Sequence, residues 1–263
     1  MNATDITFAQ LLAGYSLLLF PMGFFLWYGV SLIHETLVSI LRMTVQLLFV
    51  GFYLQLVFQW NNPWINFIWI AVMVAVADAS IVRNCGLRIR LFVFPLAAAL
   101  FAGVLIPLLI FLLVIIRPDP VLDARYVIPI AGMILGNCLR ADIVGIKGFY
   151  EGIARREKIY LAALSAGATL QEACLSFMRE ALEAALRPTI ATMATIGIVS
   201  LPGMMTGVIL GGANPMTAIK YQIAIMLAIF SGTAITVVLA IFLTMRRCFT
   251  PYGILDKDVF QKK

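Results

Sequence analysis

Residues 91–116, LFVFPLAAALFAGVLIPLLIFLLVII, run for 26 positions without a charged side chain. A helix of about 20 apolar residues crosses the hydrocarbon core of a bilayer, so this stretch alone predicts a membrane span. The rest of the chain agrees, because 62% of its 263 residues are hydrophobic, 12% are charged and the mean hydropathy is +1.00. Soluble domains are about 45–50% apolar and about 25% charged. The composition therefore predicts a protein whose natural solvent is lipid.

Seven segments are long and apolar enough to cross a membrane. They lie near residues 8–30, 43–60, 64–82, 91–116, 125–141, 189–212 and 219–245. Between the first two, SLIHETLVSILRMTVQ (31–46) repeats its apolar residues at helical spacing, which predicts an amphipathic elbow helix at the membrane surface. The predicted fold class is all-α: a polytopic membrane protein with about seven transmembrane helices, this elbow helix and a cytoplasmic helical hairpin near 142–188. We expect one transmembrane domain over 1–263.

Basic residues cluster at one set of span ends, and this asymmetry predicts the orientation. All of the 19 lysines and arginines except Arg117, Arg125 and Lys220 fall on one side of the seven-span arrangement. Because basic residues favour the cytoplasmic side, we expect the N-terminus outside and the C-terminus inside a cell membrane, the inner membrane in a bacterium. The net charge of +6 is therefore a topology signal, and we expect no nucleic-acid partner. The first apolar run has no basic residue before it, so it is predicted to be a retained span rather than a signal peptide.

The sequence carries no arrangement typical of an enzyme. It has no G-x-x-x-x-G-K-[ST] loop for ATP, no H-E-x-x-H metal site and no G-x-S-x-G nucleophile. Its four cysteines are scattered without a C-x-x-C pair, which predicts small packing residues. We therefore expect neither catalysis nor a cofactor in this chain, and the sequence identifies no metal ligands.

The polar segment 142–188 is predicted to be a helical hairpin on the cytoplasmic side. Within it, Gly167 can adopt the left-handed conformation that ends a helix, and Thr169 can cap the next helix with Glu172 in a capping box. Two interpretations fit this pattern. The hairpin either lies on the membrane surface as an amphipathic element, or it docks a soluble partner and transmits force to the spans.

The stretch GIVSLPGMMTGVILGG (197–212) is apolar yet rich in residues that weaken helices. Pro202 removes a backbone donor, so the helix should bend or break there. Gly203, Gly207 and Gly211 are spaced four apart, which places them on one face where another backbone can approach closely.

The stretch IPIAGMILGN (128–137) repeats this pattern with Pro129, Gly132, Met133, Gly136 and Asn137. Two such spans predict a kinked, closely packed helix pair that moves, although structural packing alone would produce the same pattern.

Two further groups of side chains could contact a solute. The thioethers of Met204 and Met205 suit a soft ion such as Cu(I) better than Fe(II), but methionine is also a flexible packing residue. Asp78 is the carboxylate predicted to lie deepest in the membrane, and intramembrane acids are often functional. Its position near a span end also allows it to face water or Arg83.

Three long motifs in this order resemble the FetB-type ABC permease family. They are VIPIAGMILGN (127–137), GIVSLPGMMTGVILGG (197–212) and NPMTAIKYQI (214–223), with the turn SAGAT (165–169) between the first two. The resemblance is sharpest over about 127–225, and LRMTVQLLFVGFYL (41–54) fits it as well. The motif residues are Pro129, Gly132, Met133, Asn137, Pro202, Gly203, Met204 and Met205.

The resemblance implies a permease that pairs with a separate cytoplasmic ABC ATPase, two copies of each per transporter, within membrane lipid. ATP and Mg²⁺ would then be bound by the ATPase. Bacterial members of the family are associated with iron export and plant relatives with nucleotide-sugar transport, so the resemblance does not fix the substrate. The residues expected to couple the ATPase to the spans are Arg155, Arg156, Ser165, Gly167, Ala168 and Thr169.

The leading hypothesis is the permease subunit of an ABC exporter for iron or another metal ion. The alternatives are ABC export of a nucleotide sugar or other small anion, a non-transporting scaffold that regulates an ATPase, and an ion-gradient-driven carrier. The transport path and hinge are expected at the motif residues together with Gly207.

Overall fold

A computed structural model describes residues 6–256 and 259, with the side chains of 89–91 excepted, and the described part is helical without a named β-strand. Ten α-helices follow one another, with a 3₁₀ segment (Tyr15–Leu18) after α1 and a π-helical segment (Phe111–Ile116) after α5. They are α1 Phe8–Gly14, α2 Leu19–Trp27, α3 Ile33–Trp60, α4 Pro63–Cys85, α5 Ile89–Ile110, α6 Ala124–Arg155, α7 Glu157–Ser165, α8 Leu170–Thr195, α9 Gly203–Leu210 and α10 Pro215–Cys248.

Six helical stretches of the described chain are long and apolar enough to cross a membrane, which confirms the all-α polytopic fold class. They are Phe8–Trp27, Ile33–Trp60, Pro63–Cys85, Phe92–Ile116, Ala124–Arg155 and Pro215–Cys248. The structure differs from the sequence prediction at the span over 189–212. It is not one continuous helix, because α8 ends at Thr195 and α9 begins only at Gly203. Hydropathy counts apolar side chains and does not register that glycine and proline interrupt the backbone.

The predicted elbow is not a separate helix either. Residues 33–60 form the single helix α3, because no glycine or proline occurs between 33 and 50 to end it. The elbow residues therefore continue directly into the second span.

The boundary predicted at residue 142 is also wrong. Helix α6 runs unbroken for 32 residues, about 48 Å at 1.5 Å per residue, so it is longer than the hydrocarbon core. One face of its residues from 142 onward packs in the core, because Asp142, Phe149 and Tyr150 are fully buried. The predicted hairpin thus consists of the end of α6, the short helix α7 and the first half of α8. We call this part of the molecule the α7 end.

The core lies among α4, α5, α6, α8 and α10. The backbones of α5 and α10 approach each other closely where two glycines meet. A Cβ added to Gly232 of α10 would lie 2.7 Å from the carbonyl oxygen of Gly103 of α5 and 2.8 Å from Ile134 Cγ2. Glycine is required here because the two backbones leave no room for a side chain. All four cysteines are free and buried, as packing residues would be.

Candidate functional site

The chain breaks between α8 and α9, as the proline predicted. Residues 196–202 are non-helical, Gly197 has a φ of +88°, and its N–H donates to the carbonyl oxygen of Ser200 at 2.9 Å. Pro202 is extended, with a ψ of 146°, and directly precedes the first residue of α9. Non-helical backbone at membrane depth is tolerated where protein covers it or where it lines a cavity. This break lines one.

A cavity of about 580 Å³ opens beside the break, between α6, α8, α9 and α10. It brings together two motifs that are more than 60 residues apart in sequence. Met133 and Asn137 line it from α6, and Pro202, Gly203 and Met204 line it from the break and α9. Five of the predicted path residues therefore share one site.

The polar side chains around the cavity come from three helices. Asn137 donates from Nδ2 to the carbonyl oxygen of Met133 at 2.8 Å, and Thr192 donates from Oγ1 to the carbonyl oxygen of Pro188 at 2.9 Å. Gln222 of α10 also lines the cavity, and its Oε1 is buried without a hydrogen-bond partner in the described chain. A buried polar atom left without a partner costs about 1–3 kcal/mol, so this amide is ready to bind a ligand.

Four predicted path residues lie outside the cavity: Pro129, Gly132, Met205 and Gly207. Pro129 is within the first turns of the continuous helix α6, and Met205 is buried on another side of α9 from Met204. A Cβ added to Gly132 would lie 3.2 Å from Cε of Met73 on α4, so this glycine does pack closely.

The predicted close pairing of glycine faces on the two spans is wrong within this chain. A Cβ added to Gly203, Gly207 or Gly136 meets no described atom within 4 Å. Helix α9 packs mainly on α10 rather than on α6. The sequence spacing identified a face of small residues, but the partner that a face meets depends on the tertiary arrangement.

Asp78 lies on α4 in the core and does not line the cavity. Its side chain is buried, its Oδ1 has no hydrogen-bond partner among the described residues, and the structure shows no ion pair between it and Arg83. Within the described chain Asp78 is buried and is not paired with Arg83, and a functional role for it stays a prediction. A second buried carboxylate, Asp142 on α6, was missed because the sequence placed it at the start of a soluble hairpin.

The turn at the α7 end has the predicted geometry. Gly167 has a φ of +93°, and the N–H groups of Gly167 and Ala168 donate to the carbonyl oxygens of Leu164 and Ala163 at 3.0 and 3.1 Å, which closes α7 in a Schellman motif. Thr169 and Glu172 then form the capping box of α8. Hydrogen bonds from Thr169 hold the pKa of the Glu172 carboxyl below its ordinary value. Of the residues expected to couple an ATPase here, Arg156 and Ala168 are half-buried, and the exposed ones are Arg155, Ser165, Gly167 and Thr169.

Arg156 ties α6 and α7 to α8. Its guanidinium donates two hydrogen bonds to the carboxylate of Glu180, at 2.9 and 2.6 Å, and lies 4.6 Å from the ring centre of Phe177. The hydrogen bonds hold the pKa of Glu180 below its ordinary value. Arg155 instead pairs with Glu151 of its own helix at 2.8 Å. Arg156 therefore links the helices of the α7 end, and its expected contact with an ATPase stays a prediction.

Sequence reasoning missed several cavity residues, among them Gln222, Met226, Thr189, Thr192 and Arg140. One signal was available for the first two, because Gln222 and Met226 are four apart on α10 and therefore share a helix face. Among the described residues, no group of three His, Cys, Asp or Glu side chains could hold a metal ion.

These observations define a class: a multi-pass α-helical membrane protein with a polar-edged cavity between its helices. The chain belongs to the uncharacterised protein family UPF0014, whose family model matches residues 8–249. It is 34% identical over 236 residues to the protein ALUMINUM SENSITIVE 3 of Arabidopsis thaliana, covering 88% of this chain and 84% of that one. It is 33% identical over 234 residues to the UPF0014 membrane protein slr1647 of Synechocystis, covering 86% and 87%.

A third relative carries a functional name. The probable iron export permease protein FetB of Escherichia coli is 29% identical over 234 residues, covering 89% of this chain and 88% of that protein. No solved structure matches the chain.

Proposed function

We propose that this chain is the membrane-spanning permease subunit of an ATP-driven ABC exporter that moves iron or another metal ion. The observation that carries the proposal is the cavity at the break between α8 and α9, which gathers Met133, Asn137, Pro202, Gly203 and Met204. The similarity to a probable iron export permease supports the direction of transport and the metal substrate. The chain itself catalyses no reaction, and ATP and Mg²⁺ bind to a partner ATPase.

The α7 end is the proposed docking site for that ATPase. Helix α7 is short and lies between the two long helices α6 and α8, which extend back to the cavity. Force applied to α7 is therefore carried along two rigid elements to the walls of the cavity. The assembly contains two copies of this chain and two ATPase subunits, with the α7 end and the C-terminus in the cytoplasm.

The orientation predicts a labelling pattern. Single cysteines at position 62, before α4, and at position 213, before α10, are expected to react with a membrane-impermeant maleimide added outside intact cells. Cysteines at 86 and 168 are expected to react only after the membrane is opened. Labelling of position 213 only from inside would contradict the proposed orientation.

A plug in the cavity tests the role of the site. Thr192 is an exposed residue of α8 that lines the cavity, so Thr192→Trp can fill the space without disturbing the core. We expect the variant to lose substrate-stimulated ATP hydrolysis in the purified complex, by about tenfold or more, which corresponds to about 1.4 kcal/mol. Ala194→Trp is the matched control, because Ala194 is exposed on the same helix and does not line the cavity. Equal stimulation in both variants would remove the cavity from the transport path.

One observation favours the second candidate, export of a nucleotide sugar or another small anion. Arg140 is an exposed residue that lines the cavity, and the described chain provides no ion-pair partner for it. Arginine binds phosphate groups well because its guanidinium donates two parallel hydrogen bonds. If the substrate is an anion, Arg140→Gln should abolish stimulation by it. If the substrate is a cation, the same variant should leave stimulation unchanged or raise it.

A further inference from the structure

We propose that the cavity beside the break binds a soft, monovalent metal ion of the Cu(I) type through the thioethers of Met133, Met204 and Met226, with the amide oxygen of Gln222 as a fourth ligand. This inference rests on the proposed transport function and names the substrate class of the same site.

Methionines from three helices line the same cavity. Met133 lies on α6, Met204 on α9 and Met226 on α10, and all three side chains line the cavity and are partly buried. Only one of them, Met204, belongs to the adjacent pair that draws notice in the sequence. Methionine often serves as a gap-filler in a packed core. Here all three methionines pack against the core and also line a cavity of about 580 Å³, so part of each side chain faces open space.

The oxygen atoms around the same space complete the ligand set. The side chains of Asn137 and Thr192 each donate a hydrogen bond to a carbonyl oxygen of their own helix. Their side-chain oxygens therefore keep lone pairs that can bind an ion. Gln222 holds an Oε1 that has no partner in the described chain, and rotation of its terminal amide can present that oxygen to an ion. An ion bound there would relieve the cost of the unpartnered atom.

The ligand types decide the charge and softness of the ion. Carboxylate, carbonyl and water oxygens suit Mg²⁺, Ca²⁺ and Mn²⁺, whereas thioethers select Cu(I). None of the side chains that line this cavity is a carboxylate, a histidine or a cysteine. The cost of taking an ion out of water rises steeply with its charge, so an all-neutral ligand set favours a monovalent ion over a divalent one. Arg140 at the edge of the cavity further opposes high positive charge.

Protection of methionine against oxidation tests the site directly. Peroxide converts accessible thioethers to sulfoxides, and a thioether that binds a metal ion is blocked. The purified full-length chain is oxidised in detergent with and without Ag(I), a stable substitute for Cu(I), in chloride-free buffer. Mass spectrometry then reports each methionine separately, so Ag(I) bound to cysteines does not interfere. We expect protection of Met133, Met204 and Met226, and no protection of the exposed Met43 and Met216.

Removal of one thioether should weaken the binding of Ag(I) and therefore the protection of the other two methionines. Substitutions that disturb even outer-shell partners cost about 10–100-fold in metal affinity, so Met226→Leu should raise the Ag(I) concentration for half-protection of Met133 by at least about tenfold. The volume-conserving change keeps the fold. Met216→Leu on the same helix is the matched control and should leave the concentration unchanged.

The outcomes separate this inference from the proposed function. Equal oxidation of the three methionines with and without Ag(I) would overturn the thioether site. If the complex then hydrolyses ATP in response to Mn²⁺ or Fe²⁺ but not to Ag(I), the transport function stands and the soft-ion site fails. Ag(I) protection in the isolated chain, without stimulation of ATP hydrolysis by any metal ion, would support the site and contradict the transport function.

Discussion

Gly167→Pro is expected to abolish ATP-driven transport while the chain still inserts in the membrane. Gly167 has a φ of +93°, which the proline ring forbids, and its N–H donates to the carbonyl oxygen of Leu164 at 3.0 Å. The substitution therefore opens the Schellman turn at the α7 end. The measurement is solute transport by proteoliposomes, with co-purification of the ATPase as a second readout.

Gly167→Asn is the matched control for this prediction. Asparagine tolerates the left-handed conformation and keeps the backbone donor, so it should retain most of the transport and bind the ATPase. Wild-type transport by Gly167→Pro would show that the turn does not couple the ATPase to the spans.

Gly232→Ala is expected to destabilise the fold by adding a single methyl group. Its Cβ would lie 2.7 Å from the carbonyl oxygen of Gly103, so α5 and α10 must move apart along their length. Overpacking of this kind costs about 1–3 kcal/mol. Thermal unfolding of the detergent-solubilised chain measures the effect.

Gly136→Ala provides the contrast on α6. A Cβ there meets no described atom within 4 Å, and alanine is the better helix former by about 1 kcal/mol. It should leave the unfolding temperature unchanged or raise it. An equal loss in both variants would mean that glycine flexibility, rather than the close approach of α5 and α10, explains Gly232.

The class of fold could be predicted because hydropathy and capping act locally. Apolar runs of about 20 residues identify spans whatever their neighbours are. Likewise, the turn from Gly167 to Glu172 is specified by residues within a few positions of each other, and the structure reproduces it.

The sequence predictions were wrong at positions whose burial or packing depends on contacts between distant helices. Asp142 reads as polar and therefore soluble, yet α6 carries it into the core among other helices. Gly207 reads as a packing glycine because of its spacing, but the described chain provides no neighbour for it. Gly103 and Gly232, which do pack closely, have no glycine four residues away to mark them.

The site could be predicted only in part for the same reason. Met133, Asn137, Pro202, Gly203 and Met204 belong to motifs with unusual local composition, and they meet in one cavity. Gln222 lies in the motif NPMTAIKYQI, but neither it nor Met226 has unusual local composition, so their place in the site depends on the three helices that face them. Local sequence does not contain that arrangement.

We propose that this chain carries a solute across the membrane when a partner ATPase hydrolyses ATP. The most direct test reconstitutes the purified chain with the ATPase that co-purifies with it, in proteoliposomes loaded with a metal-sensitive dye. ATP and Mg²⁺ are added on the side of the ATPase, together with Ag(I), Mn²⁺ or Fe²⁺. We expect a dye response that depends on both the metal ion and ATP. The response should persist in the Ala194→Trp variant and disappear in the Thr192→Trp variant. A response that is independent of ATP, or no movement of any metal ion or nucleotide sugar by an assembled and hydrolysing complex, would contradict it.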